Sequence, residues 1–310
     1  MPSTITHAYI GIKVLDKLND KPKQIINTHI NNYKIYCQNM DILYFYHILL
    51  LRGNIIQKLG HKFHKENVFK SFELLINDNK NNQDNELFTF ISGLITHYIA
   101  DSTMHPYIDY LAHNENRRLH IDKHFEIETY IDNYIVNNYI NKDYQKYNNS
   151  NYVFNYTEEK IINEELDKLF KSLWNYDNMG HTYYRALKEM HFVFKYLRHD
   201  SYGIKKILYM ILDLNPFPIR KCQYLSYHFD LNNNNYYLNL DHEKWFNYVK
   251  SDDISTKSFI DLMDNVISKS AFIINELYDY IYKNKKVNLK ELIGNNSYST
   301  GLPIQEETSR

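Results

Sequence analysis

Apolar residues in this chain recur every three or four positions and seldom alternate, which is the period of a helix rather than of a half-buried strand. Glycine and proline, which punctuate short-strand folds, number only 8 and 6. The pattern predicts an all-α protein. A first helix is expected from about Thr6 to Leu18, with Tyr9, Ile12 and Leu15 on one stripe, and Asp20-Lys21-Pro22 offers a cap and an early proline for the next. Further helices are expected over Asp41 to Leu51, Lys65 to Ile76, Glu86 to Met104 and Arg117 to Ile140. Pro106 disfavours helical geometry at His105 and so sets the expected end of the third of these. The polar run from Asn77 to Asn85 reads as a loop, and the Asn- and Tyr-rich stretch from Asp143 to Tyr156 as irregular. Helical patterning resumes at Glu158 to Trp174, Met179 to Leu197, Tyr202 to Leu212 and Ser258 to Tyr282, interrupted by Asn-Pro-Phe-Pro at 215–218 and an Asn run at 232–235. No internal repeat is present, and one domain over 1–310 is the expectation.

Composition narrows the picture only a little. With 44% hydrophobic residues the 310-residue chain can build a substantial core. Lys plus Arg at 36 against Asp plus Glu at 37 leaves no basic field, so polymeric nucleic acid is an unlikely partner. Two cysteines, Cys37 and Cys222, exclude a disulfide framework. The first residues lack a basic segment followed by an apolar run, and no stretch approaches the ~18 apolar residues of a membrane span, so a cytoplasmic location is expected.

The candidate chemistry lies on two of the expected helices. His97, Asp101 and His105 are spaced i, i+4, i+8, which stacks two imidazoles and a carboxylate on one face at about 6 Å per rung, as helical scaffolds present metal ligands. His120, His124, Glu128 and Asp132 repeat the device, and the His124/Glu128 spacing suits one imidazole and one carboxylate on the same ion. The plainer alternative is that these are surface or hydrogen-bonded core histidines, with Asp132 merely orienting a neighbour. His61 and His64 read equally as a solvated loop pair.

Together these residues resemble the zinc-dependent phospholipase C family, whose all-helical fold is shared with single-strand nucleases of the P1 type. Thr6-His7-Ala8-Tyr9-Ile10-Gly11 is similar to the family's opening Ser/Thr-His helix, and Gln38-Asn39-Met40-Asp41 stands where many members have Gln-Gly-Pro-Asp. Leu59-Gly60-His61-Lys62-Phe63-His64 resembles a Gly-Ser-Lys-Met-His stretch, which singles out His64 over His61. His97 to Asp101 with His105-Pro106, and His124 to Glu128 with Asp132, complete the likeness. Asn239 to Trp245 and Gly294 to Leu302 resemble late segments of clostridial-type members, and His242 is expected to be structural.

The resemblance implies two to three zinc ions: one on Asp41, His64, His97 and Asp101, a second on His105, His124 and Glu128, and a third on His7 with Asp101 bridging. It also implies water activated for in-line attack on a phosphodiester, with Asp41 orienting or deprotonating it. Three departures stand out. Six residues precede His7, where secreted relatives use the mature terminal amine; His105 follows Asp101 at four residues instead of six; Asn39-Met40 replaces Gly-Pro.

Three functions follow as expectations. A phospholipase C acts on a phospholipid and makes transient contact with a membrane surface. A phosphoesterase or nuclease uses the same cluster on a smaller or nucleotide substrate. A metal-binding homologue has no activity. No lipid-binding sandwich module follows the helices, so a toxin is not expected.

Overall fold

Every residue from Glu86 to Asp101 is buried, so this stretch has no solvated face and belongs at the centre of a helical assembly rather than on its surface. Its polar members turn inward on the helix itself: the hydroxyls of Thr89, Ser92 and Thr96 donate to the carbonyls of Asn85, Phe88 and Ser92. In the computed structural model, which describes residues 4–50, 54–113, 117–143, 146, 148, 150–214, 225–228 and 235–304, this helix is the hub.

In chain order the α-helices are α1 (Thr4–Leu15), α2 (Asp20–Thr28), α3 (Ile30–Tyr36), α4 (Ile55–Phe63), α5 (Val68–Asn82), the central α6 (Asn85–Ala112) and α7 (Arg117–Asn138). They continue as α8 (Ser150–Val153), α9 (Lys160–Trp174), α10 (Met179–Phe192), α11 (Ile204–Asp213), α12 (Phe259–Tyr282) and α13 (Leu289–Ile293). The all-α expectation holds; among the described residues the strands are a small antiparallel hairpin of β1 (Trp245–Asn247) and β2 (Lys250–Ser255). Around α6 pack α3, α7 and α12, with α1 wedged between α7 and α12.

Several boundaries differ from the sequence pattern, each for a local reason. Asp41 to Leu51 is not an α-helix: Asn39–Phe45 and Ile48–Leu50 are 3-10 turns, separated by extended Tyr46 and left-handed His47, and Leu51 lies outside the described residues. The helix α4 was not anticipated; Asn54 caps it by accepting from the Gln57 amide at 3.0 Å. The polar run after Ile76 stays helical to Asn82, because Asn79 is buried and its side chain accepts from the Asp84 amide at 2.8 Å, closing a tight turn into α6. The Asn-Pro-Phe-Pro segment and residues 232–234 lie outside the described residues, as does Cys222.

The largest difference is at Pro106, which lies inside α6 rather than beyond its end. Proline cannot donate to the carbonyl four residues back, that of Ser102, and the fold places Gly301 there. A Cβ on Gly301 would lie 2.3 Å from the Ser102 oxygen, and its φ of +66° is a second reason for glycine. The C-terminal segment thus occupies the flaw in the central helix.

The candidate metal centre

A second close approach sets up the site. At Gly93 an added Cβ would come within 2.4 Å of Tyr36 Cβ, so α3 and α6 touch backbone to side chain here. One turn further along α6, this brings the Cys37 carbonyl to 3.0 Å from His97 Nδ1. A carbonyl only accepts, so Nδ1 carries the proton and Nε2 presents a lone pair to the interior. His64, which caps the C-terminus of α4, is arranged in the same way: its Nδ1 donates to Gly60 O at 2.7 Å, with the Tyr44 hydroxyl at 3.2 Å. Asp41, on the 3-10 turn, faces both lone pairs, with Oδ1 3.3 Å from His64 Nε2 and Oδ2 3.6 Å from His97 Nε2. Asp101, one turn beyond His97, stands 3.0 Å from its Nε2.

Neither Nε2 makes a hydrogen bond, and both are buried against the carboxyl oxygens of Asp41 and Asp101. Two imidazole lone pairs and two carboxyl groups turned toward one another fit a cation. Asp41, His64, His97 and Asp101 bring one ligand atom each to within 4.8 Å of the others.

The second cluster joins α6 to α7. His105 Nε2 lies 3.8 Å from both Asp101 Oδ1 and Glu128 Oε1, and His124 Nε2 lies 3.0 Å from Glu128 Oε1. His124 Nδ1 donates to Asp109 at 3.0 Å, so Asp109, the next rung of the α6 ladder, orients the ring. His7 on α1 enters between the clusters, its Nε2 3.2 Å from Asp101 Oδ1 and its ring 4.4 Å from that of His97. Asp132 makes that entry possible: its carboxylate accepts from the Thr6 amide at 2.9 Å and the Thr6 hydroxyl at 2.8 Å, pinning the start of α1 to α7. Between His7, Asp101, His105 and Glu128 is a cavity of about 10 Å³, the size of a single water or ion.

The two clusters differ electrically. Burial holds His64 neutral, its pKa pushed down to about 3, and lowers that of His97 as well. For His105 burial opposes the charged form, but Asp101, Glu128 and Asp109 outweigh it and lift the pKa to about 10. His124 is raised in the same way, against burial, by Glu128 and Asp109. Asp41 is raised by burial and by the neighbouring Asp101, whereas Asp101 is lowered in spite of burial by His105, His97 and His7. In the first cluster a cation would meet two neutral imidazoles; in the second it would displace histidine protons.

A family model described as zinc dependent phospholipase C matches residues 6–190. The chain belongs to the zinc-dependent phospholipase C family. No curated protein and no solved structure matches it. The all-helical architecture is that of the phospholipase C and P1 nuclease type, and the buried His and carboxylate clusters suit a zinc-dependent hydrolase. All the residues carried over from the family resemblance, from His7 to Glu128, lie within the matched span and converge in space.

Of the other candidate histidines, His61 and His242 lie outside the two clusters, whereas His120 shares Asp109 and His124 with the second in a further group that could hold a cation. His61 is exposed, its ring tilted against that of Tyr44 with centroids 4.6 Å apart, outside the clusters. His242 Nδ1 donates to Thr256 O at 3.1 Å and lies 3.4 Å from Asp261 Oδ2, away from both clusters. His120 approaches Asp109 at 3.7 Å rather than Glu128. The sequence reading missed Asp109, although its i+4 spacing from His105 was visible, and it missed Tyr298, for which no local signal exists. Tyr298 accepts from Asn39 Nδ2 at 3.1 Å and sets its ring edge-on to His64 at 4.5 Å.

Proposed function

We propose that this protein is a phospholipase C-like phosphodiester hydrolase, in one domain, with two to three zinc ions held by the residues above. Asp41, His64, His97 and Asp101 would hold the first, and His105, His124 and Glu128 the second. His7 with Asp101 would take the third, at the small cavity. Family membership supports the reaction class, and the observation that carries the reading is the set of buried, proton-free Nε2 atoms aimed at Asp41 and Asp101.

Zinc, when bound, supplies electrophilic activation of water and of the phosphoryl oxygens. The chain's own residues do the rest. Asp101 reaches His7, His97 and His105 from one carboxylate and sets the spacing of the clusters. Asp41, which faces the Nε2 atoms of both His64 and His97, orients or deprotonates the attacking water. The substrate is a phospholipid phosphodiester, attacked in line at phosphorus.

Elemental analysis of the purified protein, with hydrolysis of a chromogenic phosphocholine ester before and after chelation, tests this. Two or three zinc ions and chelator-sensitive hydrolysis support it. Less than one zinc per chain, with no activity on adding metal back, removes it.

A further inference from the structure

The two ladders of histidine and carboxylate continue past the second cluster. Helices α6 and α7 pack side by side in opposite directions, so each step outward along α6, from His105 to Asp109, meets a step back along α7, from Glu128 and His124 to His120. On the outermost rung the Asp109 carboxylate faces two imidazoles. Its Oδ1 is 3.0 Å from His124 Nδ1 and 3.7 Å from His120 Nε2. The first distance is a hydrogen bond; the second is too long for one, yet His120 turns its terminal nitrogen to the same oxygen. The two rings stand 6.1 Å apart, centroid to centroid, and Asp109, His120 and His124 each bring a ligand atom to within 4.8 Å of the others.

We infer that Asp109, His120 and the Nδ1 edge of His124 form an outer site for a divalent transition-metal ion, separate from the ions proposed above. Two imidazoles and one carboxylate are a donor set that suits zinc, the fourth position going to water. Solvent reaches the group: side-chain exposure is 30% at His120 and 25% at Asp109, against 4% at Glu128 in the second cluster. The outer site is also tied to that cluster, because His124 belongs to both. Its Nε2 lies 3.0 Å from Glu128 and its Nδ1 3.0 Å from Asp109, and a neutral imidazole has one proton for its two nitrogens. An ion on Nδ1 leaves that proton on Nε2, where Glu128 accepts it; an ion on Nε2 leaves it on Nδ1, where Asp109 accepts it. His124 therefore serves one ion at a time. The outer site, more exposed and with a single carboxylate, fills at higher zinc, and its filling leaves the second cluster only His105 and Glu128. Zinc concentration thus sets how firmly the second ion is held. This effect, unlike the outer site itself, rests on the reading that the second cluster binds zinc.

Equilibrium dialysis of the full chain against zinc alone, over a range of free concentrations, tests this with no substrate present. At high free zinc the wild type holds one ion per chain more than its His120→Ala variant, and at low free zinc the two hold the same number. His120→Glu, which returns a ligand of similar reach, regains the added ion. A zinc isotope loaded at low concentration leaves the wild type faster as free zinc is raised, and leaves His120→Ala at an unchanged rate. Equal counts in the wild type and His120→Ala at every concentration, fewer ions in His120→Ala at low zinc, or a release rate that rises alike in both would each overturn the proposal. Hydrolysis is not the readout, so the two readings fail separately. Ions at the inner clusters without a His120-dependent one leave the proposed function standing, and a His120-dependent ion on a chain inactive toward esters leaves the outer site standing.

Discussion

At Asn39 the backbone has φ +49°, a left-handed conformation that glycine adopts freely and asparagine tolerates better than other side chains. The substitution of Asn39 for the family's glycine is thereby absorbed, and its side chain gains bonds to Met40 N at 2.7 Å and to Tyr298. Asn39→Gly is expected to fold with a stability close to wild type, whereas Asn39→Val costs about 1–2 kcal/mol, measured by denaturant unfolding. Asp109 tests the site one step out from the ligands. Asp109→Asn is expected to weaken zinc binding by about 10- to 100-fold in a competition titration, by releasing the His124 ring from its orienting carboxylate. An unchanged affinity would leave Asp109 no role at the metal. That His97, Asp101 and His105 share one face of α6 was legible because four-residue spacing on a helix is itself geometry. Tyr298 was not, because its place against His64 is fixed by tertiary packing between chain ends.

Among the elements, hydrophobic periodicity located α1, α6, α7, α9, α10 and α12, where a continuous pattern outweighs local detail. It misjudged places where one side chain or one distant segment decides. The buried Asn79 kept a polar run helical, and Gly301 covers the carbonyl that Pro106 leaves without a donor. Gly301→Ala is therefore expected to cost at least about 2 kcal/mol, combining a left-handed φ with a clash against backbone, and a thermal melt measures it. The mounting of α11 carries a pH dependence. Asp200 is buried, which opposes its charge, but Ser226 and the start of α11 hold its carboxyl below the ordinary value. The unfolded chain then takes up this proton first. The contribution to stability is full above about pH 4 and is lost as pH falls toward the folded value. Asp200→Asn should flatten that part of the stability curve, seen in melting temperatures across acid pH; an identical slope in the two proteins would contradict it.

At the scale of the molecule, cations held by α1, the Asp41 turn, α4, α6 and α7 would tie together elements that otherwise meet only through packing. Chelation is expected to lower the melting temperature by several degrees, and added zinc to restore it, since a ligand bound only by the folded state stabilises by mass action. The family match ends at residue 190, yet Asn39, Tyr98 and Ser102 are all contacted by the segment from Asn296 to Gly301. This gives the order of synthesis a meaning. Every proposed ligand has left the ribosome long before that last segment is made, so Asp41, His64 and His97 can gather their ion while the side bearing Tyr298 is still open. With the turn at Ser297–Gly301 settled over His64, an ion held there would be covered on that side, and its exchange would be tied to how often this turn lifts away.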